Sequence, residues 1–345
     1  MRLRRLLPST AVAVAVAVAV PGATALALLT AVTAGAATVP SPAPSGFTIT
    51  DPRIKESSGL AASRIHPGVY WTHNDSDDGP YIYAVDSASG KTVARVTMTG
   101  VGKPRDIEAI SLGPDGQLYV GDIGDNLGGT WDHVWIYRFP EPKTLGDVTL
   151  KAEQFTVKYA DGPRNAEALM VHPVTGRVYI ASKDERAGGL YEGPETLSPS
   201  GTNTFRRIGD VPWVTDGAFS PDGGRLTLRG YLWAKTYPWK DGRPSGEGEA
   251  VAAPWQGQAE SVTYTADGRA LMFGAEGANS RVVAIPVTPP PSASPSPSGP
   301  APTPGAATPP PTHGGDFTKG AFVLIAATAL TLAAKRILRR RPPKR

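Results

Sequence analysis

Residues 107–122 read IEAISLGPDGQLYVGD, which is an apolar run, a Gly-Pro-Asp-Gly turn and a second apolar run. The same pattern of strand, Pro/Asp/Gly turn and strand occurs five times along the chain. Its turns are residues 65–68, 113–116, 172–176, 220–223 and 265–268, and their last glycines lie 48, 60, 47 and 45 residues apart. Periods of this size with several strands in each repeat are typical of solenoids and propellers.

The remaining sequence of each repeat favours strands over helices. Short runs rich in Val, Ile, Tyr, Trp and Thr alternate with turn residues, and no long stretch has a helical period. The first four repeats each divide into four strands, among them one strand from Leu150 to Tyr159, whereas the fifth repeat has three. Residues 47–50 (FTIT) supply the missing strand and close the ring, which removes exposed sheet edges. We therefore predict an all-β, five-bladed β-propeller over residues 47–287, with six blades as the alternative.

The N-terminal segment has the pattern of a secretory signal peptide. Arg2, Arg4 and Arg5 precede an apolar run from Ala11, and small residues follow at Ala34-Gly35-Ala36. A basic region, an apolar region and a small-residue cleavage motif are the three parts of such a peptide. We predict a signal peptide at residues 1–36 and a short linker at 37–46, with an uncleaved signal anchor as the alternative.

The C-terminal segment has the pattern of a membrane anchor. Residues 288–316 are mostly Pro, Ser, Thr, Ala and Gly, a composition that favours an extended stalk over a packed core. We predict a single transmembrane helix at residues 317–338, followed by a basic tail at 339–345. The positive-inside rule places the C-terminus in the cytoplasm and the propeller at the extracellular face of the membrane. A buried C-terminal helix of a globular domain is the alternative.

Charge and cysteine content exclude several function classes. Of the 35 Lys and Arg residues 11 lie at the two ends, so the part between them holds 24 basic and 30 acidic residues, a net charge of −6. An acidic domain is a poor match for phosphate backbones, so no nucleic-acid partner is expected. The chain has no cysteine, which excludes disulfides and thiolate metal sites.

Carboxylates recur at the start of the first strand of the repeats. They are Glu108, Glu167, Asp216 and Glu260, and Glu56 lies just before the remaining first strand. First strands line the axis of a propeller, so these carboxylates are expected to converge on one mouth of the central channel. Converging carboxylates require salt bridges, a bound cation or raised pKa values suited to acid–base chemistry. The candidates for ion pairing and ligand binding are Arg105, Arg164, Lys183, Arg229 and Glu260.

The ends of the second strands are expected to face the same mouth. They contain Asp75, Asp122 and Asp125, which offer the oxygen ligands that Ca²⁺ prefers. The candidate metal ligands are Asp75, Asp122, Asp125, Glu108 and Glu167. His73 ends a second strand beside Asn74 and Asp75, so Glu108, Glu167 and His73 are the candidate catalytic residues. No G-x-S-x-G elbow and no phosphate-binding loop occurs in the sequence.

Several of these motifs together resemble a known group of proteins. They are ESSGLA at 56–61, WTHNDS at 71–76, DIE at 106–108, YVGDIGDN at 119–126 and EAL at 167–169. The chain resembles exported bacterial β-propellers of the NHL, SMP-30-like and phytase-like (esterase-like) set. That resemblance implies a propeller fold and, in some members, lactonase or phosphoesterase activity with Ca²⁺ in the central channel. The chain lacks a full phytase-like cluster of lysines and carboxylates, which argues against a phosphoesterase.

Two principal functions follow from these features. The first is a membrane-anchored binding module that presents an acidic, Ca²⁺-binding channel to an extracellular ligand or protein. The alternative is a Ca²⁺-dependent hydrolase of a small ester, lactone or phosphoester, with Glu108, Glu167, His73 and Asp122 around the metal. A glycosidase would use two axial carboxylates as acid and base, about 5 to 10 Å apart.

Overall fold

The computed structural model describes residues 44–76, 78–186 and 188–287. All of them belong to the first of the two units into which the chain divides, Met1–Pro290. The predicted signal peptide, stalk, transmembrane helix and basic tail, and the linker up to residue 43, lie outside the described residues. Within the described part there is no helix, and thus none with the length and apolarity needed to cross a membrane.

The described residues form an all-β structure. In chain order the strands are β1 (Phe47–Thr48), β2 (Ser57–Ala62), β3 (Val69–Asn74), β4 (Tyr81–Asp86), β5 (Thr92–Thr99), β6 (Ile107–Leu112), β7 (Gln117–Asp122), β8 (Val134–Pro140), β9 (Val148–Lys151), β10 (Glu153–Tyr159), β11 (Ala166–Val171), β12 (Val178–Ser182), β13 (Gly189–Glu192), β14 (Thr202–Asp210), β15 (Asp216–Phe219), β16 (Arg225–Gly230), β17 (Trp233–Lys240), β18 (Arg243–Pro244), β19 (Glu249–Ala250), β20 (Ala259–Tyr264), β21 (Ala270–Ala275) and β22 (Arg281–Pro286).

The strands pair into sheets built from antiparallel meanders. One sheet has the order β2-β3-β4-β5-β9, and another has the order β15-β16-β17-β18, with β19 also paired to β17. A third sheet has the order β1-β22-β21-β20. The fourth is an eight-stranded sheet of order β11-β12-β13-β14-β10-β8-β7-β6, in which two meanders meet at the β14–β10 pair.

The first strands of the meanders form a closed ring. Strand β2 contacts β6 and β20, β6 contacts β11, β11 contacts β15, and β15 contacts β20. Each of these five inner strands therefore has two neighbours in the ring, and the remaining strands of each meander extend away from it. This is the arrangement of a β-propeller.

The hydrophobic core lies between successive meanders. Trp71 and Ile82 pack with Leu118 and Tyr137. Further clusters of buried residues join β6–β10 to β11–β14, β11–β13 to β15–β17, β15–β17 to β20–β22, and β20–β22 back to β1–β4. Each meander thus buries both of its faces against its neighbours.

The N-terminal strand closes the ring as the sequence predicts. Phe47 pairs with Val282 and Thr48 with Arg281, so β1 is the outer neighbour of β22. Phe47 is buried in the cluster that also contains Tyr70 and Met272. The first and last parts of the described chain are therefore held in one sheet.

The single strand predicted from Leu150 to Tyr159 is two strands. Val148 pairs in parallel with Val96 of β5, whereas β10 pairs with β8. The break falls at Ala152, which is buried and donates its N–H to the Thr99 carbonyl over 2.8 Å. By pairing with β5, strand β9 covers the outer edge of β5, which would otherwise expose unpaired backbone groups.

The repeated turns need glycine. The last glycine of all five turns has a positive φ, between 71° and 79°. These residues are Gly68, Gly116, Gly176, Gly223 and Gly268. Residues other than glycine rarely adopt this backbone conformation, which explains why a glycine ends the turn in every repeat.

Candidate functional site

A β-bulge at the same place in four inner hairpins positions the acidic residues. The register shifts lie between Ser57 and Leu60, Ile107 and Ala109, Ala166 and Ala168, and Ala259 and Ser261. In three of these hairpins the residue inside the shift is a glutamate, namely Glu108, Glu167 or Glu260. A bulge redirects a side chain relative to the regular pleat. All three glutamates are buried, with 2–4% of their surface exposed.

Glu108 belongs to a tight group of three carboxylates. One carboxylate oxygen each from Asp75, Asp106 and Glu108 lies within 4.8 Å of the others. Asp75 directly follows β3 and Asp106 directly precedes β6. The Ile107 N–H donates to the Asp75 carbonyl over 2.9 Å, which holds the two strand ends together. The side chains of Asp75 and Asp106 are hydrogen-bonded to each other.

The electrostatics of this group favour neutralisation. Burial raises the pKa of Glu108 well above its ordinary value, and the charges of Asp75 and Glu167 raise it further. Burial and the Asp106 carboxylate likewise raise the pKa of Asp75. Because the donor set consists of carboxylate oxygens, it fits a hard cation such as Ca²⁺ and not a metal that prefers nitrogen or sulfur. A bound cation would favour the ionised carboxylates.

The carboxylate of Glu167 forms an ion pair with Lys183. Lys183 Nζ lies 2.7 Å from Glu167 Oε1 and also donates to the Tyr231 hydroxyl over 2.9 Å. Burial lowers the pKa of Lys183, but Glu167 and Glu260 outweigh this effect and hold that pKa well above its ordinary value. Burial raises the pKa of Glu260 to about 6, with the Lys183 charge opposing the rise. Lys183 is therefore protonated at neutral pH.

We call Asp75, Asp106, Glu108, Glu167 and Glu260 the acidic mouth. Their electrostatic interactions link them into one group, since Asp75 raises the pKa of Glu108 and of Glu260. All five lie in or beside the starts of inner strands, or at the end of an adjacent second strand. The sequence-predicted convergence of Glu108, Glu167 and Glu260 therefore agrees with this geometry.

Arg229 and Asp216 connect inner strands to each other. Arg229 is 1% exposed and donates to the carbonyls of Ser261 and Gly274 over 2.5 and 2.7 Å. Burial lowers its pKa to about 10. Asp216 Oδ2 accepts the Val262 N–H over 2.8 Å. Arg229 therefore holds β16 against the β20–β21 hairpin, and Asp216 holds β15 against β20.

Asp122 and Asp125, two of the predicted metal ligands, lie outside the group of three carboxylates. The Asp122 carboxylate accepts the Tyr137 hydroxyl over 2.6 Å and the Asp106 N–H over 2.9 Å. Asp125 accepts the N–H groups of Thr130 and Trp131. These donors occupy the carboxylate oxygens, so the structure gives both residues a role in organising loops.

Arg105 and Arg164 do not form ion pairs with the glutamates of the acidic mouth. The Arg105 guanidinium lies between two indole rings, 4.0 Å from the Trp131 centroid and 3.8 Å from the Trp135 centroid. Arg164 forms a 2.8 Å ion pair with Asp161. Four basic residues were expected to neutralise the carboxylates. Within the described part of the chain, Lys183 is the only one of the four that forms an ion pair with a glutamate of the acidic mouth.

The His73 side chain packs beside Gly59 of the inner strand β2. Its Nδ1 is 3.2 Å from the Asn74 carbonyl oxygen, and burial lowers its pKa to about 4. A Cβ on Gly59 would lie 2.5 Å from His73 Nε2 and 3.1 Å from Ile110 Cγ2, so the ring uses the space that Gly59 leaves. His73 is therefore neutral at physiological pH and packed against the β2–β6 contact.

The opposite end of the inner strands is lined mostly by apolar residues, with Arg64, Ser111, Thr263 and Thr265 among them and no acidic side chain among the described lining residues. A cavity of about 80 Å³ lies there, lined by residues of all five inner strands and of the turns that follow them. Its walls include Leu60, Ile110, Val171, Phe219 and Tyr264. We call this end the apolar mouth.

Comparisons with known proteins show a distant structural likeness. No family model and no curated protein matches the sequence. The PQQ-bound aldose sugar dehydrogenase of Streptomyces coelicolor is 13% identical, with a TM-score of 0.42 over 70% of this chain and 97% of that chain. A chain of the mitotic checkpoint complex is 14% identical, with a TM-score of 0.37 over 66% of this chain and 60% of that one. Hydrazine synthase of Kuenenia stuttgartiensis is 13% identical, with a TM-score of 0.37 over 63% and 61%.

Three contributors to the site were not among the predicted site residues. Asp106 supplies the third carboxylate of the group, Ser58 Oγ donates to Glu108 Oε2 over 3.1 Å, and Tyr231 accepts from Lys183. Asp106 had a signal in the sequence, because it stands two residues before Glu108 in the repeated Pro-Arg-Asp/Asn motif. Tyr231 had no such signal in the sequence, since its partner Lys183 lies 48 residues away.

Proposed function

We propose that this protein is an exported, membrane-anchored, five-bladed β-propeller that binds a divalent cation, Ca²⁺ foremost, at its acidic mouth. We further propose that it acts as a binding module for an extracellular ligand or protein. The single observation that carries the proposal is the group of three carboxylates formed by Asp106 and Glu108, which are buried, and Asp75, which is partly exposed, with oxygens within 4.8 Å of one another.

The charge around this group supports a bound cation. Glu167 and Glu260 add further carboxylates, whereas the nearby buried cations are Lys183 and Arg229. Lys183 is paired with Glu167, and Arg229 forms hydrogen bonds to backbone carbonyls and Gln256. Both cations therefore have partners outside the group of three carboxylates. Clustered carboxylates in a largely buried site repel one another when ionised, and a divalent ion with six to eight oxygen ligands offsets that cost.

The blade count is supported by the ring of inner strands. Five inner strands contact one another in a closed cycle, and a hydrophobic cluster lies between each successive pair of meanders. Export and anchoring are supported by the sequence at both ends, where apolar runs are flanked by basic residues. The anchor at residues 317–338 would hold the propeller at the extracellular face of the cell membrane.

The position of His73 favours binding over hydrolysis. Its ring is packed against Gly59 and Ile110, and its Nδ1 is within hydrogen-bond distance of a backbone carbonyl. A general base must reach the proton that it removes from the substrate, and His73 is fully buried, with 0% of its surface exposed. The binding module is therefore the function that the geometry supports best, and the Ca²⁺-dependent hydrolase is the alternative.

Calcium titration of the full chain tests the proposal. We expect calorimetry to give one Ca²⁺ per chain, and the melting temperature to be higher in Ca²⁺ than in EDTA. Glu108→Gln should lower the calcium affinity on the order of 100-fold and reduce the response accordingly, whereas Glu195→Gln, which removes an exposed carboxylate, should leave it unchanged. Absence of calcium binding by the wild type would contradict the proposed cation. Turnover of an ester, lactone or phosphoester that Glu108→Gln abolishes would favour the hydrolase.

A further inference from the structure

Lys183 occupies a position that repeats around the ring. The residue that directly follows the second strand donates its N–H to the residue that directly precedes the first strand of the same meander. This holds for Asp75 with Glu56, for Lys183 with Asn165 and for Glu276 with Gln258, over 2.9 to 3.0 Å. The same backbone position therefore carries a carboxylate in two meanders and an ammonium group in a third.

The surroundings of the Lys183 ammonium are those of a cation site. Its Nζ lies 2.7 Å from Glu167 Oε1 and 2.9 Å from the Tyr231 hydroxyl, and 5.1 Å from the Tyr231 ring centroid. Lys183 and Glu167 side chains are 10% and 2% exposed. Glu260 is 4% exposed, its Oε2 accepts no hydrogen bond from the described residues, and the charges of Glu260 and Lys183 act on each other.

We propose that Glu167 and Glu260 form a second cation position and that Lys183 of the same chain fills it. The inference rests on the proposed function, because it assigns the metal ion to Asp75, Asp106 and Glu108 alone. Lys183 thereby sets the metal stoichiometry of the acidic mouth at one. Its ammonium supplies the charge that a second metal ion would otherwise supply.

Replacing Lys183 with a neutral residue tests this. Calorimetric titration of the full chain with Ca²⁺ should give two ions per chain for Lys183→Met and one for the wild type. Lys158→Met removes a half-exposed lysine of β10 and is the matched control, with one ion expected. Lys183→Arg keeps the charge and should also bind one ion. If Lys183→Met does not fold, Lys183→Gln carries the same expectation with a polar side chain.

A double variant separates charge from simple loss of packing. Lys183→Met with Glu167→Gln removes both members of the ion pair and should bind one ion, since one glutamate no longer suffices for the second position. One ion bound by a folded neutral Lys183 variant would overturn the inference and leave the proposed function intact. Two ions bound by the double variant would also overturn it. A wild type that binds no Ca²⁺ would overturn the proposed function and the inference together.

Discussion

The two ends of the inner strands differ in chemistry although the same five strands form both. At the acidic mouth, Glu108, Glu167 and Glu260 are buried at repeated bulges. At the apolar mouth, the same strands present residues such as Leu60 and Phe219 to a cavity of about 80 Å³. Burial of apolar surface stabilises a fold, whereas burial of like charges opposes it. The comparison is consistent with a stabilising role for the apolar end and with the proposed cation binding at the acidic end.

The largest effect on stability is expected at the apolar mouth. Leu60→Ala should lower the free energy of unfolding by about 3 kcal/mol, since Leu60 is 2% exposed and its removal leaves a cavity. Calcium affinity should stay within about twofold of the wild type, because no ligand moves. Urea denaturation and calorimetry measure the two quantities. A loss of calcium affinity comparable to the loss of stability would show that the two ends are not separable.

Glu108→Gln is the corresponding change at the acidic mouth. We expect calcium affinity to fall on the order of 100-fold, which corresponds to about 2.7 kcal/mol, because one charged ligand is lost. Stability in EDTA should rise, since burial, and then the charges of its neighbours, raise the pKa of Glu108. Calorimetry and melting in EDTA check both parts. Lower stability in EDTA would contradict the assignment of Glu108 as an electrostatic cost in the metal-free protein.

The acidic mouth should also make metal-free stability depend on pH. Burial raises the pKa of Glu260 from 4.5 to about 6, and the pKa values of Asp75 and Glu108 are raised as well. Groups with raised pKa values stabilise the folded state below their unfolded pKa, and this stability is lost as pH rises through the folded pKa. Stability in EDTA should therefore fall as the pH rises from about 4 to about 7, by about 2 kcal/mol from Glu260 alone.

Calcium provides the internal control for this pH dependence. A cation bound by Asp75, Asp106 and Glu108 keeps these carboxylates ionised without the energetic cost. The melting temperature in Ca²⁺ should therefore lose their share of the pH dependence and keep the share of Glu260. Melting curves at fixed pH intervals in both conditions measure the difference. Parallel curves in EDTA and in Ca²⁺ would indicate that the titrating groups lie away from the cation.

The smallest effect is expected from Ser58→Ala. The Ser58 hydroxyl donates to Glu108 Oε2 over 3.1 Å, and its loss should reduce stability by about 1 kcal/mol. Calcium affinity should change a few-fold, because the hydroxyl orients one ligand without supplying a charge. Ser87→Ala, at a half-buried turn position between β4 and β5, is the matched control. An effect on affinity as large as that of Glu108→Gln would make Ser58 a ligand instead.

The repeat in the sequence was sufficient to predict the parts of the fold that depend on local chemistry. Turn glycines such as Gly116 and Gly223 need positive φ, and β1 pairs with β22 because the fifth repeat lacks a strand. The break at Ala152 could not be predicted in this way. It depends on the pairing of β9 with β5, about 50 residues earlier in the chain, and local strand propensity does not encode that pairing.

The candidate site was predictable in its position and only partly in its members. Glu108, Glu167 and Glu260 share a repeated place in the sequence, and so they share a place in the fold. Asp122 and Asp125 are oxygen donors by residue type, but loop N–H groups and the Tyr137 hydroxyl engage them. Which carboxylates have donors nearby depends on the loop backbone, and residue type alone does not determine that.

The most direct test of the account is a crystal structure of the protein grown with Mn²⁺ as an anomalous stand-in for Ca²⁺. We predict one strong anomalous peak, about 2.0 to 2.6 Å from carboxylate oxygens of Asp75, Asp106 and Glu108. Lys183 should remain on Glu167. A structure that contains Mn²⁺ at other positions only, with these three carboxylates unliganded, would contradict the assignment of the acidic mouth as the cation site.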